Sequence, residues 1–276
     1  MQDLLARGLR DVPEIAFLHP GDLAWSIGWP PQSPDELAAK VTIVEDGDRV
    51  VGWGYLDRED ILEAVDPDAS DPDAVWHELD AIADAHPALA RSTCEGDAAA
   101  VERLRAAGFA PMPDEYMIGF SIDLDAIDDI APDDRVRPVD PERDLSERAS
   151  VTRAGFRVDT PLDRYVERYE RFTRSPAYPR GWDLVASTDD GRGAACTIAW
   201  PDPVSRVGNF EPVATHPDFQ RQGYASAAMR DGLRRLRDAG MRRAIVRTRF
   251  DNDAGVALYR SLGFVDHHIE RWFSRS

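Results

Sequence analysis

The chain is nearly without lysine: Lys40 is the only one, so its basic charge is carried by arginine. Cysteine is scarce too. Cys94 and Cys196 lie far apart in apolar, strand-like segments, which excludes a disulfide framework and any closely spaced thiolate metal site. Both read as buried free thiols. No apolar run approaches the roughly 20 residues a membrane-spanning helix needs, so no membrane contact is expected. Met1-Gln2-Asp3 is not followed by the apolar core of a secretory signal, and a cytoplasmic protein is expected. Positive charge is outnumbered, with 33 Lys+Arg against 51 Asp+Glu and a formal net charge of −18. Nucleic acid phosphates would be repelled overall. Basic amines or peptides would not, although an acidic surface serves equally well as a solubility device.

What is present is enough for a packed core: 43% of the 276 residues are hydrophobic, which suits one large domain or two of ordinary size. The most informative stretch runs from Glu211. Phe210 to Thr215 is apolar and β-branched enough for a buried strand, and His216-Pro217-Asp218 stops it. Gln220-Arg221-Gln222-Gly223-Tyr224-Ala225 follows, and then Ala225, Ala228, Met229, Leu233 and Leu236 recur at helical spacing. A strand, a tight glycine turn and a helix N-terminus make an anion site, because the first helical N–H groups and the helix dipole both face the turn. Gly223 lets the backbone approach a ligand, Ala225 leaves room, and Arg221 adds a charge suited to phosphate. The loop lacks the Gly-Lys-Ser/Thr ending of a P-loop and the spaced glycines of a dinucleotide fold.

Gln220-x-x-Gly223-x-Ala225, set after a Val-x-x-His-Pro strand end, resembles the acetyl-CoA pyrophosphate loop of the GNAT superfamily of N-acetyltransferases. Downstream, Asn252-Asp-Ala254-x-x-x-Leu258-Tyr259-x-x-x-Gly263-Phe264 resembles the second signature of that family. An ordinary strand-to-helix turn would explain Gly223 but not the matched Tyr259 motif.

Along the chain, 3–10 reads as a short helix, and 22–34 as a loop rich in Trp, Gly and Pro, with Trp25 and Trp29 lining a pocket or, more simply, packing on a core edge. Strands are expected at 41–44, 50–56, 61–65, 90–94 and 117–122, and helices at 74–85 and 98–107. The acidic segment 123–134, with Pro132, reads as a linker, so a boundary is placed near residue 130. Beyond it, 145–156 and 162–173 read as amphipathic helices and 182–187 and 194–200 as strands. The loop and its helix come next, then a strand at 243–248, a helix at 252–262 and a last strand near 268–273.

The two halves repeat. Ala98 to Phe109 overlays Asp253 to Phe264, and Val65-Asp66-Pro67 overlays Thr215-His216-Pro217. The copies part where chemistry would sit. After Pro67 the first reads Asp-Ala-Ser-Asp-Pro-Asp-Ala, with acids where a pyrophosphate would lie; Asp97 stands opposite Asn252 and Leu104 opposite Tyr259. The expected fold is therefore α/β (α+β): two tandem GNAT-like domains, each a mixed, mostly antiparallel twisted sheet flanked by helices. Residues 1–130 form a degenerate copy without the acetyl-CoA loop and 131–276 the N-acetyltransferase domain. This layout resembles tandem GNAT proteins, in architecture only; no substrate-specific motif is present.

The resemblance implies acetyl-CoA as acyl donor, held by backbone groups of Val213, Ala214 and Thr215, by the loop Gln220, Arg221, Gln222, Gly223, Tyr224, Ala225 and Ser226, and by Asn252. It implies parallel strands ending at Thr215 and Thr248 that splay to admit the pantetheine arm. Pro212 suits an irregularity or bulge there. A primary amine of a small molecule or peptide would attack the thioester directly. Tyr259, placed by the motif, would protonate the leaving thiolate, or else only pack and bind coenzyme. Glu211, an even number of residues before Val213 and so expected on the same side, would be the base, or else an ion-pair partner of an arginine. Asn252 serves equally well as a helix cap. Tyr165, Tyr169 and Phe172 share a helical face and read as core before substrate wall. Adjacent His267 and His268 would point oppositely on a strand, so no metal site is expected. The alternatives are a non-catalytic acyl-CoA-binding protein on the same fold, or transfer to oxygen or of a longer acyl group. The duplicated layout suits a monomer, with a homodimer left open.

Overall fold

The computed structural model describes residues 1–28, 33–58 and 60–275. In chain order its elements are α1 (Gln2–Asp11), α2 (Pro20–Gly28), α3 (Pro34–Ala38), β1 (Val41–Asp46), β2 (Arg49–Asp57), β3 (Asp60–Val65), α4 (Pro72–Ala85), β4 (Ala90–Cys94), α5 (Ala98–Ala106) and β5 (Ala110–Asp123). The second half follows with β6 (Val136–Pro138), α6 (Leu145–Gly155), α7 (Leu162–Thr173), β7 (Asp183–Ser187), β8 (Gly193–Asp202), β9 (Val207–Thr215), α8 (Tyr224–Asp238), β10 (Arg243–Arg249), α9 (Asp253–Ser261) and β11 (Val265–Ser274).

All eleven strands join one sheet in the order β1-β2-β3-β4-β11-β5-β10-β9-β8-β7-β6. The middle of that order was not foreseen. The last strand of the chain, β11, lies against β4 of the first half, and β5 of the first half lies against β10 of the second. Each half thus contributes a strand next to the other's sheet, and β5 and β11 pair with each other along most of their length.

The internal repeat is visible in the backbone. Asp97 caps α5 by accepting the Ala100 N–H, and Asn252 caps α9 by accepting that of Gly255. Both helices end on a glycine at positive φ, Gly108 (85°) and Gly263 (92°). In both, the next residue's N–H returns to the helix, Phe109 to Leu104 and Phe264 to Tyr259. These are paired Schellman closures, and they need glycine because L-residues avoid that conformation. Both halves also contain one parallel strand pair that meets only at its base. β3 and β4 register at Asp60–Ala90 and Ile61–Arg91; β9 and β10 register from Val207–Arg243 to Asn209–Ile245.

One side of the second half's sheet packs on α8 and α9 through Phe120, Phe210, Met229, Leu233, Val246, Tyr259 and Phe264. On the other side, Tyr165, Tyr169 and Phe172 of α7 are buried with Ile198 and Trp200, so that aromatic face is core. Beneath it, Arg148 and Asp183 form a fully buried pair (2.6 Å), joined by the hydroxyls of Tyr169 and Tyr178.

The segment read as a loop at 22–34 is helical through Gly28; Trp29 lies outside the described residues. Its start carries unusual caps. The Gly21 N–H donates to His19 Nδ1 (2.9 Å), and the His19 N–H donates to the Asp22 carboxylate (2.8 Å). Gly21 looks like a helix breaker in the sequence. It is needed for closeness: a Cβ there would stand 2.4 Å from the Trp200 ring. Through that contact α2 lies across β8 and β9 of the second half.

Candidate active site

The loop forms as its residues dictate. A 3-10 turn, Pro217–Phe219, ends β9, with His216 Nδ1 accepting the Asp218 N–H (3.3 Å). Gln222 Nε2 donates to the Asp218 carbonyl (3.1 Å), and Arg221 and Gly223 turn the chain at positive φ, 62° and 85°. Gly223 is the N-cap of α8, and no side chain caps it. The first return bond is Ala227 N–H to Gly223 O, which leaves the N–H groups of Tyr224, Ala225 and Ser226 without intrahelical acceptors. Residues 220–223 are exposed. Two arginines that no sequence motif marks border the loop: Arg192 over the Phe219 ring (4.9 Å) and Arg135 over Tyr224 (5.5 Å).

Beyond Asn209, β9 and β10 share no register and open a window in the sheet. The His216 N–H bonds the Ala194 carbonyl, and antiparallel ladders alternate. The Ala214 backbone groups therefore face β8, and those of Val213 and Thr215 face the window. The C-terminal end of α6 presses on this rim: a Cβ on Gly155 would lie 3.0 Å from the Thr215 carbonyl and 3.1 Å from Ala214 Cβ.

The Glu211–Pro212 peptide is cis, and the ladder to β8 is broken between Thr197 and Ala199, the irregularity expected at Pro212. The bulge corrects one expectation. Val213 packs with the α8/α9 cluster, as Phe210 does three residues earlier. Glu211 interacts instead with Asp22 and Arg247 on the other side, so the two do not share a side. The extra residue breaks the alternation on which that reading rested.

Among the described residues, no hydrogen bond or ion pair reaches the Glu211 carboxylate. Its pKa is pushed up to about 7, chiefly by burial and then by the negative charge of Asp22, with Arg247 opposing. Tyr259 is buried against Phe120 of β5, with ring centroids 5.6 Å apart, and against Phe264. Burial and the charge of Glu211 raise its pKa, so the phenol keeps its proton. Glu211 and Tyr259 thus feel each other, although they approach from opposite faces. Asn252 lies nearby on the β10 side. Besides capping α9, its Nδ2 donates to Thr248 Oγ1 (2.8 Å).

Sequence reasoning missed the group behind Glu211. Arg247 of β10 pairs with Glu270 of β11 (2.6 Å) and with Asp22 of α2 (3.5 Å). Asn209 Nδ2 donates to Asp22 (2.8 Å), and the Ser92 hydroxyl donates to Glu270 (2.8 Å). Burial raises the Glu270 pKa against the pull of Arg247 and Ser92, while the carboxylates of Asp22, Glu270 and Glu211 outweigh burial and raise that of Arg247. No local motif could announce these residues, because α2, β4, β10 and β11 meet only through the strand exchange.

Among the described residues, no group of three or more His, Cys, Asp or Glu could hold a metal ion, and no helix is long and apolar enough to cross a membrane.

Comparison with known proteins agrees with this geometry. Residues 152–264 match the profile of the Acetyltransferase (GNAT) family. A stretch of 97 residues is 43% identical to a mycothiol acetyltransferase from Nocardiopsis dassonvillei; the match covers 31% of this chain and only 28% of that protein's length. Among solved structures, a tandem GNAT protein from the clavulanic acid biosynthesis pathway is similar over 99% of this chain and 92% of its own, with a TM-score of 0.64 at 17% identity. A GCN5-related N-acetyltransferase from Sphaerobacter thermophilus is similar over 88% of this chain and 85% of its own, with a TM-score of 0.58 at 16% identity. At such identities these likenesses speak for fold. The chain has the tandem GNAT fold, and its residues 152–264 match the GNAT acetyltransferase family profile.

Proposed function

We propose that the protein is an acetyl-CoA-dependent N-acetyltransferase whose second half binds the coenzyme and whose first half, residues 1–130, does not. The observation that carries this is the juxtaposition of an uncapped helix N-terminus at Gly223 with a sheet window between β9 and β10, where Glu211 of β9 lies within electrostatic reach of Tyr259. The pyrophosphate would take the free N–H groups of Tyr224, Ala225 and Ser226, beside Gln220, Arg221 and Gln222. The pantetheine arm would lie along the β9 rim, bonding the window-facing backbone of Val213 and Thr215, with small Ala214 between them and Asn252 opposite.

The first half lacks each of these provisions. At the matching helix start, the Asp71 carboxylate accepts the Ala74 N–H (3.0 Å), and Pro72 removes another donor. An acid of the chain itself thus occupies the position a phosphate would need. The first half's parallel strands are bound up by ions: Arg91 of β4 grips Glu63 of β3 (2.7 Å) and Asp80 of α4.

In the transfer, a neutral amine nitrogen attacks the thioester carbon and the C–S bond breaks. Glu211, ionised above about pH 7, takes the proton from nitrogen. The Val213 N–H faces the developing oxyanion. Tyr259 gives its proton to the departing sulfur, and exchange with solvent resets both groups. The similarity to a mycothiol acetyltransferase and to a GCN5-related N-acetyltransferase supports acetyl transfer. A thiol-release assay with acetyl-CoA against aminoglycosides, amino acids, polyamines and peptides tests the proposal. Amine-dependent coenzyme A release is expected. Tight coenzyme binding with no turnover on any amine or alcohol would instead mark a non-catalytic acyl-CoA-binding protein.

A further inference from the structure

A carboxylate that serves as base must not be captured by a cation, and Arg247 is a guanidinium close enough to Glu211 for each to shift the other's titration. An unrestrained arginine so placed would pair with it, since a planar fork and a carboxylate make a strong bidentate contact. We propose that Asp22 and Glu270 are positioning residues: they hold the Arg247 guanidinium between them, and so leave Glu211 at the sheet window without a cationic partner. The inference rests on the reading of Glu211 as the base.

The geometry is that of a clamp. Arg247 Nη1 is taken by Glu270 at 2.6 Å and Nη2 faces Asp22 at 3.5 Å. Both carboxylates are themselves fixed. Asp22 accepts from the His19 N–H (2.8 Å) and from Asn209 Nδ2 (2.8 Å). His19 is locked in turn: its Nδ1 accepts from the Gly21 N–H, so Nε2 carries the proton donated to the Val207 carbonyl (3.1 Å). Glu270 accepts from the Ser92 hydroxyl (2.8 Å). Asp22 and Glu270 are 3% and 1% exposed, so neither is free to release the guanidinium into water.

Half of the clamp belongs to the half that lacks a coenzyme loop. Asp22 comes from α2 and Ser92 from β4, and Glu270 reaches them because β11 is exchanged into place beside β4. This gives the first half a task in the reaction that coenzyme binding alone would not require. The groups that act on Glu211 are Asp22 from α2, Arg247 from β10 and Tyr259 from α9, while the Trp200 indole of β8 bonds its backbone carbonyl (2.6 Å). Behind Arg247 stand Glu270 and His268 of β11, and His268 is held neutral by burial.

The test is the pH dependence of kcat/KM in the full chain, with acetyl-CoA and the best amine of the screen. Asp22→Asn keeps one acceptor oxygen, enough for the His19 N–H, and removes the charge that holds Arg247, so the acidic limb should move down by about one pH unit and the plateau should fall. Arg247→Met should move the limb up. In the double variant Asp22→Asn/Arg247→Met no guanidinium is left to capture Glu211, and the limb should climb back toward that of the native enzyme. Glu270→Gln, which opens the other jaw, should lower the limb as Asp22→Asn does, and it serves where Asp22→Asn fails to fold. A limb unmoved in the folded clamp variants overturns the proposal, as does a double variant as low as Asp22→Asn. Glu211→Gln separates the two levels. If the limb survives that change, the base assignment itself falls; if it vanishes while Asp22→Asn leaves it in place, only the clamp does.

Discussion

Glu211→Gln is expected to stabilise the protein at neutral and alkaline pH while it removes activity. The carboxylate is partly buried near Asp22, without a bonded partner among the described residues, and its pKa is pushed from the ordinary 4.5 to about 7. A raised acid costs nothing below the unfolded value, where both states bind the proton. Between the two values the unfolded chain has released its proton and the native protein still holds it, so native stability falls as pH rises. The loss is complete once pH passes the folded value. At about 1.4 kcal/mol per pH unit, the interval from 4.5 to about 7 amounts to roughly 3 kcal/mol. Glutamine matches the protonated shape and cannot ionise, so the variant escapes this cost. Urea unfolding of both proteins from pH 4 to pH 8.5 should show curves that coincide at the acid end and separate to up to about 3 kcal/mol above pH 7. A difference independent of pH, or a less stable variant at pH 8, would refute the reasoning that the carboxylate is partly desolvated and unpaired.

Other consequences are as direct. Tyr259→Phe leaves the ring packed on Phe120 and Phe264 and breaks no hydrogen bond among the described residues, so the melting temperature should hold while turnover falls by roughly 100-fold; an unchanged rate removes Tyr259 as the acid. Gly155→Leu would drive side-chain atoms into Ala214 and Thr215 at the window rim, and isothermal titration should show weakened acetyl-CoA binding; native affinity would place the pantetheine elsewhere. Arg148→Met strands the fully buried Asp183 charge, and denaturant unfolding should record a loss of about 3–5 kcal/mol; a loss under about 1 kcal/mol would mean water reaches the pair.

Much of this was legible in the sequence because it is written locally. The loop at 220–226 is a contiguous string in which Gly223 takes positive φ, and Asn252 and Gly263 mark the two ends of α9 by their capping chemistry. The repeat was legible for the same reason, since Asp97 and Gly108 do the same work for α5. What escaped is non-local. Strands β5 and β11 look like ordinary closing strands of their own halves, and nothing in Tyr116–Ile122 or Ile269–Phe273 encodes which neighbour each will take. Helix α2 was obscured because His19 is an uncommon cap and Gly21 counts as a breaker until the Trp200 ring beneath it is seen. With α2 read as a loop, nothing marked Asp22 as a group that would meet Arg247. The Glu211–Val213 error was local, but bulge geometry depends on the facing strand, where Ile198 is skipped in the register.

The most direct test is calorimetric titration of the full chain with acetyl-CoA, alongside Gly223→Val and Asp71→Ala. Gly223 sits at φ 85°, which a β-branched residue resists, whereas Asp71 only caps the first half's helix. One coenzyme per chain, abolished by Gly223→Val and untouched by Asp71→Ala, is the expected result. Two coenzymes per chain, or full binding to the Gly223→Val protein, would contradict the assignment of the coenzyme to the second half.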